Sequence, residues 1–421
     1  MLFLYDAGIY LYFLVARILA LFNKKIKLWV NGRRHLLEHI ADVLDTGDSR
    51  IWFHFPSLGE FEQGRPVLEA LRKNYPGKKI VITFFSPSGY EIRKNTPLAD
   101  HVFYLPVDTR RNAREFIRLV QPEMAIFTKY DYWYHYFNEL HEKQVPLYVI
   151  SAIFRKQQPF FKWYGTLNRK MLDFISHIFV QDEASKELLQ TIGIRHVTVS
   201  GDTRFDRVAE NAVHPKAIAV AEQFSNNHQV FIAGSTWPED EKLLAELVVE
   251  YPDWKFIIVP HEIGESRITA LCKLLPENSF VRYSAIATSQ ISNLKSQILI
   301  IDNIGMLSSL YQYGNIAYIG GGFGVGIHNT LEAAAFGLPV IFGPNYQRFR
   351  EARELITLQA AFSIDTFNGL KAVMQRLQDD SLRVQASETA KNYVQRNTGA
   401  TSAIVGYICK NLSSVKNHID T

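Results

Sequence analysis

From Arg50 onward, strand-length apolar runs alternate with stretches of helical period, and this alternation limits the fold more than any other feature of the chain. RIWFHFP (50–56), KKIVITFFS (78–86), HVFYLPVD (101–108), EMAIFTKY (123–130), VPLYVISA (145–152), SHIFVQD (176–182) and HVTVSGD (196–202) form a first series. Between them lie amphipathic segments such as EFEQGRPVLEALRKNYP (60–76) and RRNAREFIRLVQP (110–122). Strands apolar on both faces need cover on both, and helices returning between them supply it, so a parallel sheet is implied. Polarity rises from Arg207, and residues 209–229 read as a linker. A second series follows: VFIAGST (230–236), WKFIIVPHE (254–262), SQILIIDN (296–303), IAYIGGG (316–322) and LPVIFGP (338–344). A last long helix is expected near 384–412, placed to return toward the first domain. The reading is α/β, with two doubly wound Rossmann-like domains at 36–208 and 230–421 facing a central cleft. Ligands of such sheets bind beyond the carboxyl ends of the strands.

The first 35 residues differ. LFLYDAGIYLYFLVARILALF (2–22) is apolar except for Asp6 and Arg17, and NKKIKLWVNGRR (23–34) adds Lys24, Lys25, Lys27, Arg33 and Arg34. A signal peptide puts its basic residues first; here they come after. The segment reads as a membrane-anchor helix with a basic flank. It spans, with the flank on the cytoplasmic side, or lies in the interface against anionic head groups; the competing reading is a buried helix of the first domain. Of 421 residues, 46 are Lys or Arg and 42 Asp or Glu, a net charge of +4 that carries no nucleic-acid signature. The two cysteines, Cys272 and Cys409, form neither a metal-ligand spacing nor a disulfide framework.

Candidate chemistry sits where strands stop. AYIGGGFGVGIHNTLEAAAFGLPVIFGP (317–344) ends a strand in Gly320, Gly321 and Gly322, and a helix is expected from Asn329 with Glu332 one turn in. Glycines admit close approach of backbone to a ligand, and a helix start presents free N–H groups to phosphate. The competing reading is a tight turn with a capping Asn and a Glu favoured by the helix dipole. Ser235 and Thr236 of AGSTWPEDE, Pro260 and His261 of VPHEIGESR, and Gly305 and Met306 of DNIGMLSSLY occupy similar positions. No Walker lysine and no paired-acid metal motif occurs, so no metal or cofactor is implied.

Taken in order, SLGE (57–60), SPSGYE (86–91), KYDYW (129–133), GDTRFD (201–206), AGSTWPEDE, VPHE, DNIGMLSSLY and the glycine-rich segment resemble the Kdo transferases over most of the chain. That family moves 3-deoxy-D-manno-octulosonic acid (Kdo) from CMP-Kdo to the lipid A precursor. The resemblance implies the GT-B fold, a nucleotide pocket in the second domain and attachment to the inner membrane on its cytoplasmic side. It also implies a metal-independent, inverting transfer to lipid IVA, with Glu60 as general base and Ser57, Gly59 and Ser86 on the acceptor side. Lys129, Asp131 and Arg204 are the other catalytic candidates. Lys129 stands where the family has its first acid of Glu-x-Glu-Leu-Trp, with Asp131 for the second and Trp133 kept. Arg204 replaces a Lys, VPHE lacks an Arg after its Pro, and Met306 replaces a Glu. The donor-side set is Ser235, Thr236, Pro260, His261, Gly305, Met306, Gly321, Gly322, Asn329 and Glu332. The rival readings are another GT-B nucleotide-sugar enzyme, a UDP-sugar transferase or an epimerase, and a membrane-tethered nucleotide-binding protein without catalysis.

Overall fold

The computed structural model describes residues 1–45, 47–286 and 295–417. Two units result: one comprises residues 1–206 together with the segment from Thr398 on, the other residues 207–397.

The first unit holds seven strands: β1 (Arg50–Phe55), β2 (Lys79–Phe84), β3 (His101–Tyr104), β4 (Pro122–Thr128), β5 (Leu147–Ala152), β6 (His177–Val180) and β7 (Val197–Val199). They lie in the order 3-2-1-4-5-6-7, and every pair is parallel. All six residues of β1 are buried. Strand alternation sends Trp52 to one face, where its ring meets Phe116 at 4.9 Å and Phe127 at 5.0 Å. It sends Ile51, Phe53 and Phe55 to the other, against Phe61, Leu68 and Ile404.

The second unit repeats the plan with β8 (Val230–Thr236), β9 (Lys255–Pro260), β10 (Phe280–Arg282), β11 (Ile298–Ile300), β12 (Ile316–Ile319), β13 (Val340–Phe342) and β14 (Ala361–Ser363), in the order 10-11-9-8-12-13-14. These pairs are parallel as well. Phe231, Ile258, Tyr318 and Ile341 fill its core.

Two sequence expectations change at the unit boundary. The segment read as a linker is largely helical, with helices Thr203–Val213 and Ala219–Ser225. Ala221 and Phe224 of the latter are buried, so its polar composition marks a solvated face rather than a free tether. The single terminal helix is two, Asp380–Arg396 and Ala400–Asn417. Gly399, at φ +109°, breaks it in a conformation that other residues resist. After the break, Asp206 takes over the start of the last helix. Its carboxylate accepts from Gly399 N at 2.5 Å, from Thr401 N at 2.6 Å and from Thr401 Oγ1 at 2.7 Å. That helix then buries Ile404, Val405 and Ile408 against the first sheet's core, and Tyr407 stacks on His177 at 4.1 Å.

The amino-terminal segment belongs to the first unit as helices Leu2–Leu19, Lys24–Asn31 and Leu36–Val43. Leu2–Leu19 is long and apolar enough to cross a membrane, and only 6% of it is buried. One edge is docked: Tyr5 donates to Asp108 at 2.5 Å, and Asp6 meets His135 at 2.6 Å. Ala16 is buried and Phe13 packs beside it, whereas Phe3, Leu4, Leu11 and Leu14 face outward. Arg33, expected in the basic flank against head groups, instead turns inward. Its guanidinium donates to the carbonyls of Leu105, Trp29 and Phe85 at 2.8–3.0 Å. It also lies 4.0 Å from the Trp29 ring. Burial lowers its pKa to about 9. Its role is to fasten helix Lys24–Asn31 to the strand-end loops.

Asp206→Ala removes three hydrogen bonds from the start of the last helix. It should lower unfolding free energy by about 1–2 kcal/mol, read from urea denaturation, with Asp206→Asn losing less.

Candidate active site

In the first unit, β1 ends at Phe55 and helix Leu58–Asn74 begins, with Ser57 at its cap. Ser57 Oγ accepts from Gly59 N at 3.2 Å and donates to Glu60 Oε2. The other oxygen, Oε1, faces Lys129 Nζ at 4.0 Å, and each side chain is about a fifth exposed, at 20% and 18%. Lys129 follows β4 with φ +63°, and its N–H donates to the Ile150 carbonyl of β5. Ser57, Gly59, Glu60 and Lys129 thus meet at one point of the sheet's carboxyl edge. Lys129 engages the acid itself, a contact the sequence did not suggest.

Asp131 is held from beneath. Its Oδ2 lies 3.0 Å from Nε2 of His54, a fully buried ring whose Nδ1 meets Thr83 Oγ1 at 2.9 Å. Trp52 Nε1 donates to the same hydroxyl at 2.8 Å. Arg204 lies against its own neighbour: Nε and Nη2 reach Asp202 Oδ2 at 2.9 and 2.8 Å. Asp202 is nearly buried and also takes a bond from Gln63 of the Glu60 helix at 2.8 Å. Thr203 Oγ1 donates to the Gln63 carbonyl and meets the buried Ser151 hydroxyl at 3.0 Å. The GDTRFD turn is thereby locked to that helix. Tyr130 ties the group together: burial pushes its phenol up, and Arg155, Glu60, Arg204 and Asp202 all act on it electrostatically. Ser86 caps helix Pro87–Arg93, accepting from Ser88 N at 3.2 Å. It also lines an apolar cleft of about 270 Å³ with Tyr12, Ala16, Leu19, Trp29 and Phe85.

In the second unit the glycine turn follows β12. A Cβ on Gly320 would stand 2.2 Å from the Ser235 carbonyl, and one on Gly322 2.5 Å from Gly343 N. Close backbone packing therefore explains those two glycines. The expectation that this turn offers its N–H groups to phosphate is corrected in part. Gly320 N donates to Gly234 O, Gly324 N and Gly326 N to Gly321 O, and Gly321 N to Asp240 Oδ2. The helix begins at Leu331 rather than at Asn329, and runs only to Ala335. Asn329 accepts from Leu331 N at 3.1 Å and donates to Glu332 at 3.0 Å, as a capping residue would.

Asp240, which the sequence reading passed over, organises this end of the sheet. It is fully buried and receives Gly321 N, Tyr318 Oη and Trp237 N at 2.7–2.9 Å. Burial raises its pKa, and these three donors pull back toward the charged form. In sequence it reads as a dipole-favoured acid in a helix's first turn, and only the fold reveals its partners. Thr236 is buried with its hydroxyl on Glu241 at 3.0 Å, so it braces the loop, whereas Ser235 beside it adopts φ +54°.

Pro260 closes β9, and His261, which follows, is exposed and stacks over both Trp237, at 4.8 Å, and His328, at 4.4 Å. His328, also missed in the sequence, accepts from Trp237 Nε1 at 3.0 Å. Gly305 and Met306 line a different cavity of about 330 Å³ with Lys216 and Tyr283. The second unit thus gathers Ser235, His261, Trp237 and His328 beside the glycine turn and leaves Gly305 and Met306 on a neighbouring surface.

Burial, and then His261, depress His328 from 6.5 to about 4. A ring kept neutral by folding contributes its full stability above pH 6.5 and loses it as pH falls toward 4. Thermal melts at pH 7 and pH 4.5 should show a smaller acid loss in His328→Gln than in the wild type.

Comparison with known proteins agrees with this layout. Residues 29–207 match the model of the 3-deoxy-D-manno-octulosonic-acid transferase (kdotransferase) family. A 3-deoxy-D-manno-octulosonic acid transferase of Haemophilus influenzae is 28% identical over 370 residues, covering 84% of this chain and 85% of its own. One from Chlamydia muridarum is 26% identical, covering 83% of each. Among solved structures, UDP-GlcNAc 2-epimerase from Neisseria meningitidis, bound to UDP-GlcNAc, superposes with a TM-score of 0.60 at 16% identity, over 86% of this chain and 100% of its own. At that identity the likeness concerns the fold, two Rossmann-like units of the GT-B kind. The match over residues 29–207, the relatives spanning most of the chain and the acid-bearing turn after β1 point the same way: this chain is similar to the Kdo transferases.

Proposed function

We propose that the protein transfers Kdo from CMP-Kdo to a hydroxyl of lipid IVA, with inversion and without a metal. The observation that carries the reading is Glu60. It stands at a strand-to-helix junction, with Ser57 on one oxygen and the Lys129 ammonium 4.0 Å from the other. A sugar hydroxyl is a poor nucleophile, and a carboxylate that accepts its proton as the new bond forms removes that limitation. In the proposed step the acceptor proton passes to Glu60 and the hydroxyl oxygen bonds to the anomeric carbon. The bond from that carbon to the CMP phosphate breaks, and CMP departs with the electron pair. Lys129 keeps Glu60 oriented and supplies positive charge for the Kdo carboxylate. Arg204, a third exposed at 35%, does so less directly, because Asp202 already holds one side of it.

On the donor side, the reading assigns CMP to the surface of Ser235, Pro260, His261, Gly321, Gly322, Asn329 and Glu332. Since Gly321 N–H is committed to Asp240, the departing phosphate is assigned to Ser235 and His261 rather than to the glycine amides. Ser57, Gly59 and Ser86 lie on the acceptor side, and the apolar cleft beside Ser86 suits an acyl chain. The exposed apolar face of helix Leu2–Leu19, with Lys24, Lys25 and Lys27 following, supports attachment to the inner membrane on its cytoplasmic side.

Incubation with CMP-Kdo and lipid IVA, followed by mass analysis of the product, tests the assignment and counts the sugars added. Turnover of UDP-GlcNAc with none of CMP-Kdo would overturn it. Glu60→Gln should lower the transfer rate by about 10²–10⁴-fold, the usual contribution of a general base, while CMP binding measured by calorimetry stays near the wild-type value.

A further inference from the structure

We infer that residues 155–164 of the first unit form a second contact with an anionic lipid surface, inserting Trp163 at the head-group level. The inference deepens the membrane reading above and rests on it. Trp163 is 90% exposed, the highest value among the large apolar side chains of the described residues. The adjacent Tyr164 is 48% exposed. A loose loop could display a tryptophan by accident, but this loop is built. Gln158, Phe161, Lys162 and Gly165 close successive backbone turns at 2.9–3.1 Å, and Arg169 grips the Phe160 and Lys162 carbonyls at 3.1 and 2.9 Å. Gly165 lies so close to Pro159 that a Cβ there would stand 1.9 Å from its carbonyl oxygen. Phe160 is buried against Tyr132 and Phe154 at 5.0 and 5.5 Å. The apolar interior is therefore satisfied, and Trp163 is held outside it on a fixed frame.

The surroundings identify the partner by charge. Arg155 and Lys156 are exposed and Lys162 is half-buried, and no carboxylate lies within ion-pair distance of these three among the described residues. An indole beside cations is the composition suited to the boundary between acyl chains and anionic head groups. Topology agrees. The loop leaves the carboxyl end of β5, and Glu60 follows β1 at the same edge. Helix Leu2–Leu19 docks beyond the ends of β2, β3 and β4, through Tyr12 on Phe85, Tyr5 on Asp108 and Asp6 on His135. Helix, loop and Glu60 therefore share the carboxyl edge of one sheet, so a bilayer touching the first two lies along the edge that carries the acid.

The full-length protein, its Trp163→Ser variant and its Lys156→Gln variant are to be floated with vesicles of phosphatidylethanolamine and phosphatidylglycerol. Quenching by brominated lipid is to be measured in parallel for the wild type and Trp163→Phe. Vesicle affinity should fall about tenfold in Trp163→Ser and about fivefold in Lys156→Gln, and the quenched signal should be smaller in Trp163→Phe. Unchanged affinity and quenching overturn the inference while leaving the helix attachment standing. Failure of every protein to float overturns both. Self-association without lipid that disappears in Trp163→Ser would assign the loop to a second copy of the chain and overturn the lipid reading.

Discussion

A sheet whose strands all run the same way must be covered on both faces, because its backbone and apolar side chains tolerate no water there. That constraint shapes both units. With helices over the faces, polar chemistry has one place left, the edge where the strands end. Glu60 follows β1, Lys129 and Asp131 follow β4, Ser235 is the last residue but one of β8, His261 follows β9 and the glycine turn follows β12. Three residues at these ends, Lys129, Ser151 and Ser235, hold left-handed backbone at φ 63°, 54° and 54° without being glycine. Such conformations persist only where the surroundings fix them. Here neighbouring strands and buried hydroxyl contacts do so, as Thr203 does for Ser151.

The same constraint explains what the sequence revealed. Doubly buried strands read as unbroken apolar runs, so β1, β2, β4 and β9 stand out, and the acid of SLGE falls at the strand-to-helix junction. The short edge strands β10 and β14, three residues each, give no such run. What stayed hidden was pairing between distant segments. Nothing in WPEDE distinguishes Asp240, which is fully buried, from Glu239, its neighbour. His54 lies inside a strand that reads as wholly apolar, and its tie to Asp131 crosses 77 positions. The stack of Trp237, His261 and His328 joins three loops that only the sheet order makes neighbours.

Charge was the least transparent property of the sequence. Arg33 sits in a basic run yet serves three carbonyls and an indole face. Arg204 suits an anionic substrate, but Asp202 already occupies part of its fork. In both, the cation holds a strand-end loop in place, which the reactive edge needs as much as it needs the acid. A formal charge in a motif therefore says little until the fold shows which partner it has met.

The chain leaves the first unit after Asp206 and re-enters it at Thr398. During synthesis, the surface of the Glu60 helix, Leu58–Asn74, that receives Ile404 and Ile408 is made more than three hundred residues before those side chains exist. The amino-terminal sheet must therefore wait on the ribosome with part of one apolar face uncovered, while the second unit, continuous in sequence, can finish first. A fragment ending at residue 206 would retain that gap permanently, and it would be a poor stand-in for the amino-terminal half of the enzyme.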